Sequence, residues 1–280
     1  MAAPDPAVIA RAKHGIQTST ARAKEEIMDL QLSDKTALVT GASIGIGHAI
    51  ARALAAEGVQ LCIMARRRNL LEELSAKIVA AGGKKPVIAQ FDIMEEGAAE
   101  RLAKFATEAL GRVDILVNSA GGSRPAIRMD APESEWEEVM RLNFVRLRQL
   151  THALAPGMMK NGWGRIIHIT GKSEPSLGGL VAATPAKAAI HGWSKALSRD
   201  VGRHGVTVNS LAPGHIMSEQ IRRKYSKEFM EEQNKTESAV GRYGEPEELA
   251  VLATFLASPV AGYITGTLIP VDGGLKRYAY

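Results

Sequence analysis

With 280 residues, 45% of them hydrophobic, the chain is long enough to bury one large core, and its formal charge of +5 comes from acids and bases mixed along the sequence. The dense basic runs Arg66-Arg67-Arg68 and Arg222-Arg223-Lys224 are short. A nucleic-acid binder would gather its cations on one face with interleaved aromatics, so a small anionic molecule suits these runs better. A single cysteine, Cys62, excludes an intramolecular disulfide, and no apolar stretch is long enough to span a bilayer.

Residues 1–30 read as an N-terminal extension, Ala-rich and mixed in charge, without the apolar core of a secretory signal; a cytoplasmic location is the expectation. From there to residue 280, short apolar runs alternate with longer amphipathic ones. Thr36–Thr40 reads as a strand and Gly45–Glu57 as a helix, followed by a strand over Val59–Ala65 and a helix over Asn69–Ala81. Pro86–Phe91, Ile115–Asn118, Arg165–Thr170, Thr207–Leu211 and Thr267–Val271 complete the strands. Helices fill the gaps, notably Glu133–Leu154, Pro185–Arg203 and Glu245–Leu256. Strands separated by helical patterns imply right-handed βαβ crossovers. The fold class is α/β: one doubly wound, Rossmann-like domain over 31–280, with a central parallel sheet and helices on both faces.

Gly41, Gly45 and Gly47 lie in the turn between the first strand and the first helix. There the chain must bend sharply, bring its backbone close to a pyrophosphate and pack a helix against the sheet. A lone glycine triad is weak evidence. Here it is joined by Asp92 after the third strand, Asn118-Ser119-Ala120-Gly121 after the fourth, Asn143 in the next helix, Lys187 in a later one and Pro213-Gly214 after the sixth strand. With this set the chain resembles the short-chain dehydrogenase/reductase family, in particular its 3-oxoacyl-carrier-protein-reductase-like members. The resemblance covers about Asp29 to Gly274.

It implies a nicotinamide dinucleotide held by Gly41, Ser43, Ile44, Gly45, Ile46 and Gly47. Asp92 and Ile93 would lie at the adenine, and Asn118, Ala120 and Gly121 would shape the adenine-ribose pocket. Lys187 would bond the nicotinamide ribose, and Pro213, Gly214, Ile216 and Ser218 would flank the nicotinamide. The closing segment Tyr263 to Gly274 implies a homotetramer or homodimer. Charge bears on the cofactor independently. The end of the second strand carries Ala65 where a carboxylate would hold a ribose hydroxyl, and Arg66 and Arg67 follow. A guanidinium binds a 2′-phosphate bidentately, which favours NADP over NAD.

One residue breaks the pattern. The family carries its catalytic tyrosine four residues before the lysine, and here that position is Ala183; no tyrosine precedes Tyr225. The family's serine falls on Gly171 by strand register or on Thr170 by spacing to Lys187. Of the family's catalytic set, Asn143 and Lys187 remain. Beside the gap, Gly171-Lys172-Ser173-Glu174-Pro175 offers an acid, a base or a clamp for a charged substrate. Lys172 and Glu174 are candidates for proton transfer, Ser173 and Thr170 for a hydroxyl role, and His215 for a further acid–base group. Thr184-Pro185 reads as the N-cap and first turn of the helix bearing Lys187. His191 is expected to pack at an interface and His168 inside the sheet's packing layer.

Ile216 to Val240 matches the family's substrate-covering lid. Arg222, Arg223 and Lys224 on it suit either an acidic substrate or a solvated helix face. The expected function is an NADP-dependent carbonyl reductase or alcohol dehydrogenase with a rebuilt proton-transfer site and no metal. The alternatives are a non-redox lyase, dehydratase, isomerase or hydrolase on the same scaffold, or a silent NADP-binding protein.

Overall fold

The computed structural model describes residues 28–122, 130–171, 183–218, 221–222 and 225–275. The chain divides into two units, Met1–Leu30 and Gln31–Tyr280, and only the second is described below.

Seven strands build one sheet: β1 (Thr36–Thr40), β2 (Gln60–Ala65), β3 (Val87–Gln90), β4 (Ile115–Asn118), β5 (Gly164–Ile169), β6 (Val206–Pro213) and β7 (Leu268–Val271). Their order is β3-β2-β1-β4-β5-β6-β7, every pair parallel. The chain therefore winds outward from β1 in one direction and from β4 in the other. The switch point lies between these two strands, where their carboxyl ends open a crevice. β2 buries Leu61 through Ala65 without a break, as a strand covered on both faces must.

The helices are α1 (Gly45–Ala56), α2 (Arg68–Ala80), α3 (Ala98–Leu110), α4 (Glu133–Met140), α5 (Arg146–Lys160), α6 (Ala183–Val201), α7 (Lys227–Glu237) and α8 (Pro246–Leu256). α1 packs closely on α8 and also touches α2, while α3 packs on α5. Both helices bury small residues, Ala49 and Ala51 on one and Ala250 and Ala253 on the other. On α3 the buried stripe Ala98, Ala99, Leu102, Ala103 and Ala106 repeats at helical spacing and faces the core. Burying Leu102 alone is worth about 2 kcal/mol.

Two expectations are corrected. The single helix read over Glu133–Leu154 is interrupted by a π-helical turn at Arg141–Val145, and the helix beyond it continues to Lys160. The helix expected to start at Thr184-Pro185 is already under way at Ala183, so Thr184 does not cap it. Pro185 still falls in the first turn, where its missing N–H leaves no bond unmade. Within the segment read as a lid, α7 is capped by Ser226, whose Oγ accepts from Phe229 N at 3.2 Å.

Two buried polar side chains tie the sheet to its helices. His168 lies beside Asn118 in the β4–β5 register and is fully buried. Asn118 Nδ2 donates to Thr151 Oγ1 and to His168 Nδ1, both at 3.1 Å. Thr151 passes its own proton to Leu147 O at 2.8 Å. With Nδ1 accepting, the His168 proton sits on Nε2. Burial pushes this imidazole down to about 3, with His191 adding to the shift. At the other end of β5, Arg165 is buried with only carbonyl partners: Ser258 O at 3.1 Å, Gly164 O at 2.8 Å and Gly205 O at 3.2 Å. Its guanidinium lies 4.4 Å from the centre of the Trp163 ring, and burial lowers its pKa to about 10.

Both groups have measurable consequences. The unfolded chain takes up the His168 proton near pH 6.5 and the native protein does not, so below that pH the unfolded state binds more protons and stability falls. Denaturant titrations between about pH 6 and pH 4 should show wild type losing about 1.4 kcal/mol per pH unit more than His168→Gln. For Arg165→Met, three carbonyls lose a charged donor, and urea unfolding should show a loss of about 2–4 kcal/mol.

Candidate active site

The crevice begins at the end of β1. Gly41 and Gly45 both adopt positive φ, +66° and +62°. A Cβ on Gly41 would meet Ser119 O at 2.8 Å, and one on Gly47 would collide with Gly41 O. Glycine is thus required by backbone meeting backbone. Thr40 Oγ1 fixes the approach, accepting from Ser119 N and Ala120 N, each at 3.0 Å. Ile44, extended and about a third exposed, leads into α1 without a side-chain cap, and the first turn of α1 carries no carboxylate. Ser43 and Ile46 are half-buried around it. The first N–H groups of α1 are left for an anion, and the cradle walled by Gly41 and Gly47 fits a pyrophosphate.

At the end of β2, buried Ala65 is followed by exposed Arg66 and Arg67. Arg66 Nη1 lies 3.8 Å from Asp92 Oδ2, while Asp92 Oδ1 accepts from Met94 N at 3.0 Å. Ile93 is buried beside them. At the end of β4, the Asn118 side chain is turned into the interior, so it braces the crevice from below, and Ala120 and Gly121 form its rim. Asn143 sits in the π-helical turn, almost wholly buried. Its Oδ1 accepts from Gly122 N at 3.2 Å and its Nδ2 donates to Val139 O at 3.0 Å. A π turn at such a position is a frequent companion of function.

The end of β5 and the start of α6 meet at Lys187. A Cβ on Gly171 would lie 2.8 Å from Lys187 Nζ. The amine is half-buried, and burial lowers its pKa from the ordinary lysine value. Ala183, one turn earlier, is buried against Val139 and Ala186. Thr170 is buried, and its Oγ1 donates to Leu211 O at 3.1 Å while lying 2.9 Å from His191 Nε2. Since the hydroxyl proton is committed to Leu211, His191 must donate from Nε2. Burial and then the Lys187 charge lower the His191 pKa. His191 thus bonds within its own chain beneath the crevice.

The last wall follows β6. Gly214 N donates to Val271 O at 3.0 Å, and a Cβ on Gly214 would meet Asp272 Cα at 2.5 Å. Ile216 is buried in a bridge to Gly244, and Met217 N donates to Gly244 O at 2.7 Å. Pro213 is half-buried at the strand's end, and Ser218 Oγ accepts from Ile221 N at 3.2 Å. His215 is turned toward the lid, its ring 5.2 Å from that of Tyr243 and its Nε2 3.6 Å from Glu237 Oε2. A cleft of about 250 Å³ lies between the glycine turn and this segment, lined by Gly45, His48, Met217, Ser218, Arg222 and Glu245 among others. No local sequence pattern marks His48, Met217 and Glu245, because the contact joins a helix and segments distant along the chain. Tyr225 stacks on Phe229 with ring centres 4.8 Å apart.

The candidates Lys172, Ser173 and Glu174, and the lid cations Arg223 and Lys224, lie outside the described residues. Among the described residues no group of three or more His, Cys, Asp or Glu side chains is arranged to hold a metal ion. No helix of the described residues is long and apolar enough to cross a membrane.

Comparison with known proteins agrees with this geometry. Residues 41–276 match the family model described as enoyl-(acyl carrier protein) reductase. The chain is 37% identical to a 3-oxoacyl-[acyl-carrier-protein] reductase of Vibrio cholerae, over 88% of this chain and 99% of that protein. It is similar in structure to a 7 alpha-hydroxysteroid dehydrogenase complexed with NADH, with a TM-score of 0.83, 32% identity, and 88% of this chain and 96% of that one covered. It is also similar to the L-sorbose reductase of Gluconobacter frateurii complexed with NADPH, with a TM-score of 0.85, 28% identity, and 90% and 100% of the two chains covered. A parallel sheet with its glycine cradle at the switch point, a matching family model over most of the length and relatives of this similarity have one reading: the chain belongs to the short-chain dehydrogenase/reductase family.

Proposed function

We propose that this member of a family of oxidoreductases is an NADP-dependent carbonyl reductase or alcohol dehydrogenase whose proton-transfer site differs from the family's. The observation that carries the reading is an intact dinucleotide cradle meeting Asn143 and Lys187 in one crevice, beside positions 171 and 183 that carry no hydroxyl. A bound reduced nicotinamide nucleotide supplies hydride to a carbonyl carbon. Everything else falls to the chain. Gly41, Gly45 and Gly47 let the backbone approach the pyrophosphate, and the uncapped N-terminus of α1 favours its charge. Asp92 holds Arg66 near the end of β2, and Arg67 stands exposed next to it, so two guanidinium groups face the place of a 2′-phosphate. Asn143 fixes the β4 turn through Gly122, and Lys187 presents an amine of lowered basicity to the mouth of the crevice.

The substrate is a small carbonyl compound, and an acidic one suits Arg222 at the cleft between α1 and the lid. Lys172, Ser173 and Glu174 follow Gly171 directly in sequence and remain candidates to meet it. The relatives above, a 3-oxoacyl-[acyl-carrier-protein] reductase, a 7 alpha-hydroxysteroid dehydrogenase and an L-sorbose reductase, are named for chemically different substrates.

Two measurements test this reading. Fluorescence titration should show NADPH binding more tightly than NADH. The double substitution Arg66→Glu with Arg67→Glu should weaken NADPH about 10–100-fold and NADH less than about threefold, since charged hydrogen bonds to the phosphate are worth about 1.5–3 kcal/mol. Equal losses for the two nucleotides would refute NADP selectivity. Purified protein mixed with NADPH and a panel of ketones, aldehydes and keto acids should consume the reduced nicotinamide with at least one class. Tight binding without consumption across the panel would favour a non-redox or silent role.

A further inference from the structure

We propose that Lys187 gives its proton directly to the substrate oxygen, with Nζ acting in the space that Gly171 and Ala183 leave uncovered. The inference rests on the reductase reading and names the acid it needs. In the family pattern the lysine works through a tyrosine one helical turn away. Here that turn ends in a methyl group, buried at 4% exposure against Val139 and Ala186, and it brings no polar atom. The second flank is also bare. A Cβ on Gly171 would lie 2.8 Å from Nζ and 2.9 Å from Cδ of Lys187, so the ammonium stands where a side chain at 171 would begin. A serine there would push it aside. Among the described residues, glycine at 171 and alanine at 183 are the two family-site positions near this amine that bring it no side-chain polar atom.

The surroundings leave the amine disposed to release its proton. No hydrogen bond or ion pair engages Lys187 among the described residues. Its basicity is lowered by burial, and no carboxylate among the described residues opposes the shift. The titratable group coupled to it is His191, on the same helix; its Nε2–H is spent on Thr170, whose hydroxyl is spent on Leu211 O. Behind His191, His168 is also kept neutral. Neither imidazole competes as the donor.

The balance is simple. As the carbonyl carbon accepts hydride from a reduced nicotinamide nucleotide, the C=O π pair moves to oxygen. The oxygen takes a proton from Nζ, and the N–H bonding pair stays on nitrogen as a neutral amine that water reprotonates. General acid help of this kind is worth about 10²–10⁴-fold.

The test combines a titration with a rate. Reductive methylation with ¹³C-formaldehyde gives each lysine an NMR resonance, and the one missing from Lys187→Arg identifies Nζ. It should titrate at least about one unit below the ordinary lysine value of about 10.4, and the reduction rate should fall as pH rises through the same midpoint. Lys187→Arg keeps a charge and donors for the ribose but holds its proton at any working pH. It should bind NADPH within about threefold of wild type and reduce carbonyls at least about 100-fold more slowly. Gly171→Ala provides a second route: its methyl should displace the ammonium, raise the midpoint and slow reduction while NADPH still binds. An ordinary midpoint, or Lys187→Arg turning over within about threefold of wild type, overturns the inference while the reductase reading stands. A wild-type protein that binds NADPH and oxidises none of it overturns the reductase reading and the donor role with it.

Discussion

Thr40 Oγ1 accepts hydrogen bonds from the N–H groups of Ser119 and Ala120 and donates to Val117 O at 3.3 Å, and the crevice depends on this one oxygen. It joins the ends of β1 and β4, the two strands from which the sheet winds in opposite directions. Thr40 is 1% exposed, so each bond of its hydroxyl is made in a medium where an unmade one costs about 1–3 kcal/mol. Its grip brings the Gly41 backbone within contact of the Ser119 peptide, and that contact in turn forbids a side chain at Gly41. The glycine turn is therefore fixed from outside as well as from within. The α1 N-terminus, the Gly121–Gly122 turn and, through it, Asn143 are all positioned from this point.

On the far side of the crevice the same economy is achieved with neutral groups. Two histidines, His168 and His191, stand below the end of β5, and in both burial, before any other cause, disfavours the charged form. Each is given a definite tautomer by a neighbour: Asn118 Nδ2 donates to Nδ1 of His168, and Thr170, its proton committed to Leu211 O, accepts from Nε2 of His191. A charged imidazole there would repel Lys187 across a poorly screened interior, where two charges several ångströms apart interact far more strongly than in water. Neutral histidines let the half-buried amine carry its charge without a cationic imidazole beside it among the described residues.

The sheet, the glycine turn and the arginines at the end of β2 were legible because each is local. A strand between helical runs, a glycine at a sharp bend and a guanidinium after a buried alanine announce themselves within a few residues. Strand ends moved by a residue or two, as at Val87–Gln90, because the last pair of a ladder depends on the neighbour and not on composition. The π-helical turn was invisible, since an inserted residue leaves the apolar spacing on either side nearly intact. The bonds of Asn118 were out of reach for a related reason: its side chain meets Thr151, 33 residues away, and His168, 50 away. The His191–Thr170 bond spans 21 residues, and only the fold brings its ends together.

Desolvation explains why a lysine and a tyrosine cannot exchange places without other changes. Burial disfavours the charged form of either side chain. For a phenol the charged form is the product of donation, so burial raises its pKa and opposes proton release; a neighbouring cation is needed to reverse that. For an ammonium the charged form is the reactant, so the same burial promotes release and no partner is required. A tyrosine beside Lys187 would finish as a phenolate facing an ammonium, two charges held in a crevice. Lys187 alone finishes as a neutral amine. The apolar wall of Ala183, Val139 and Ala186 would be a handicap to the first arrangement and is a benefit to the second. With methyl groups in place of a phenol, the crevice has the dielectric character that suits the donor it retains.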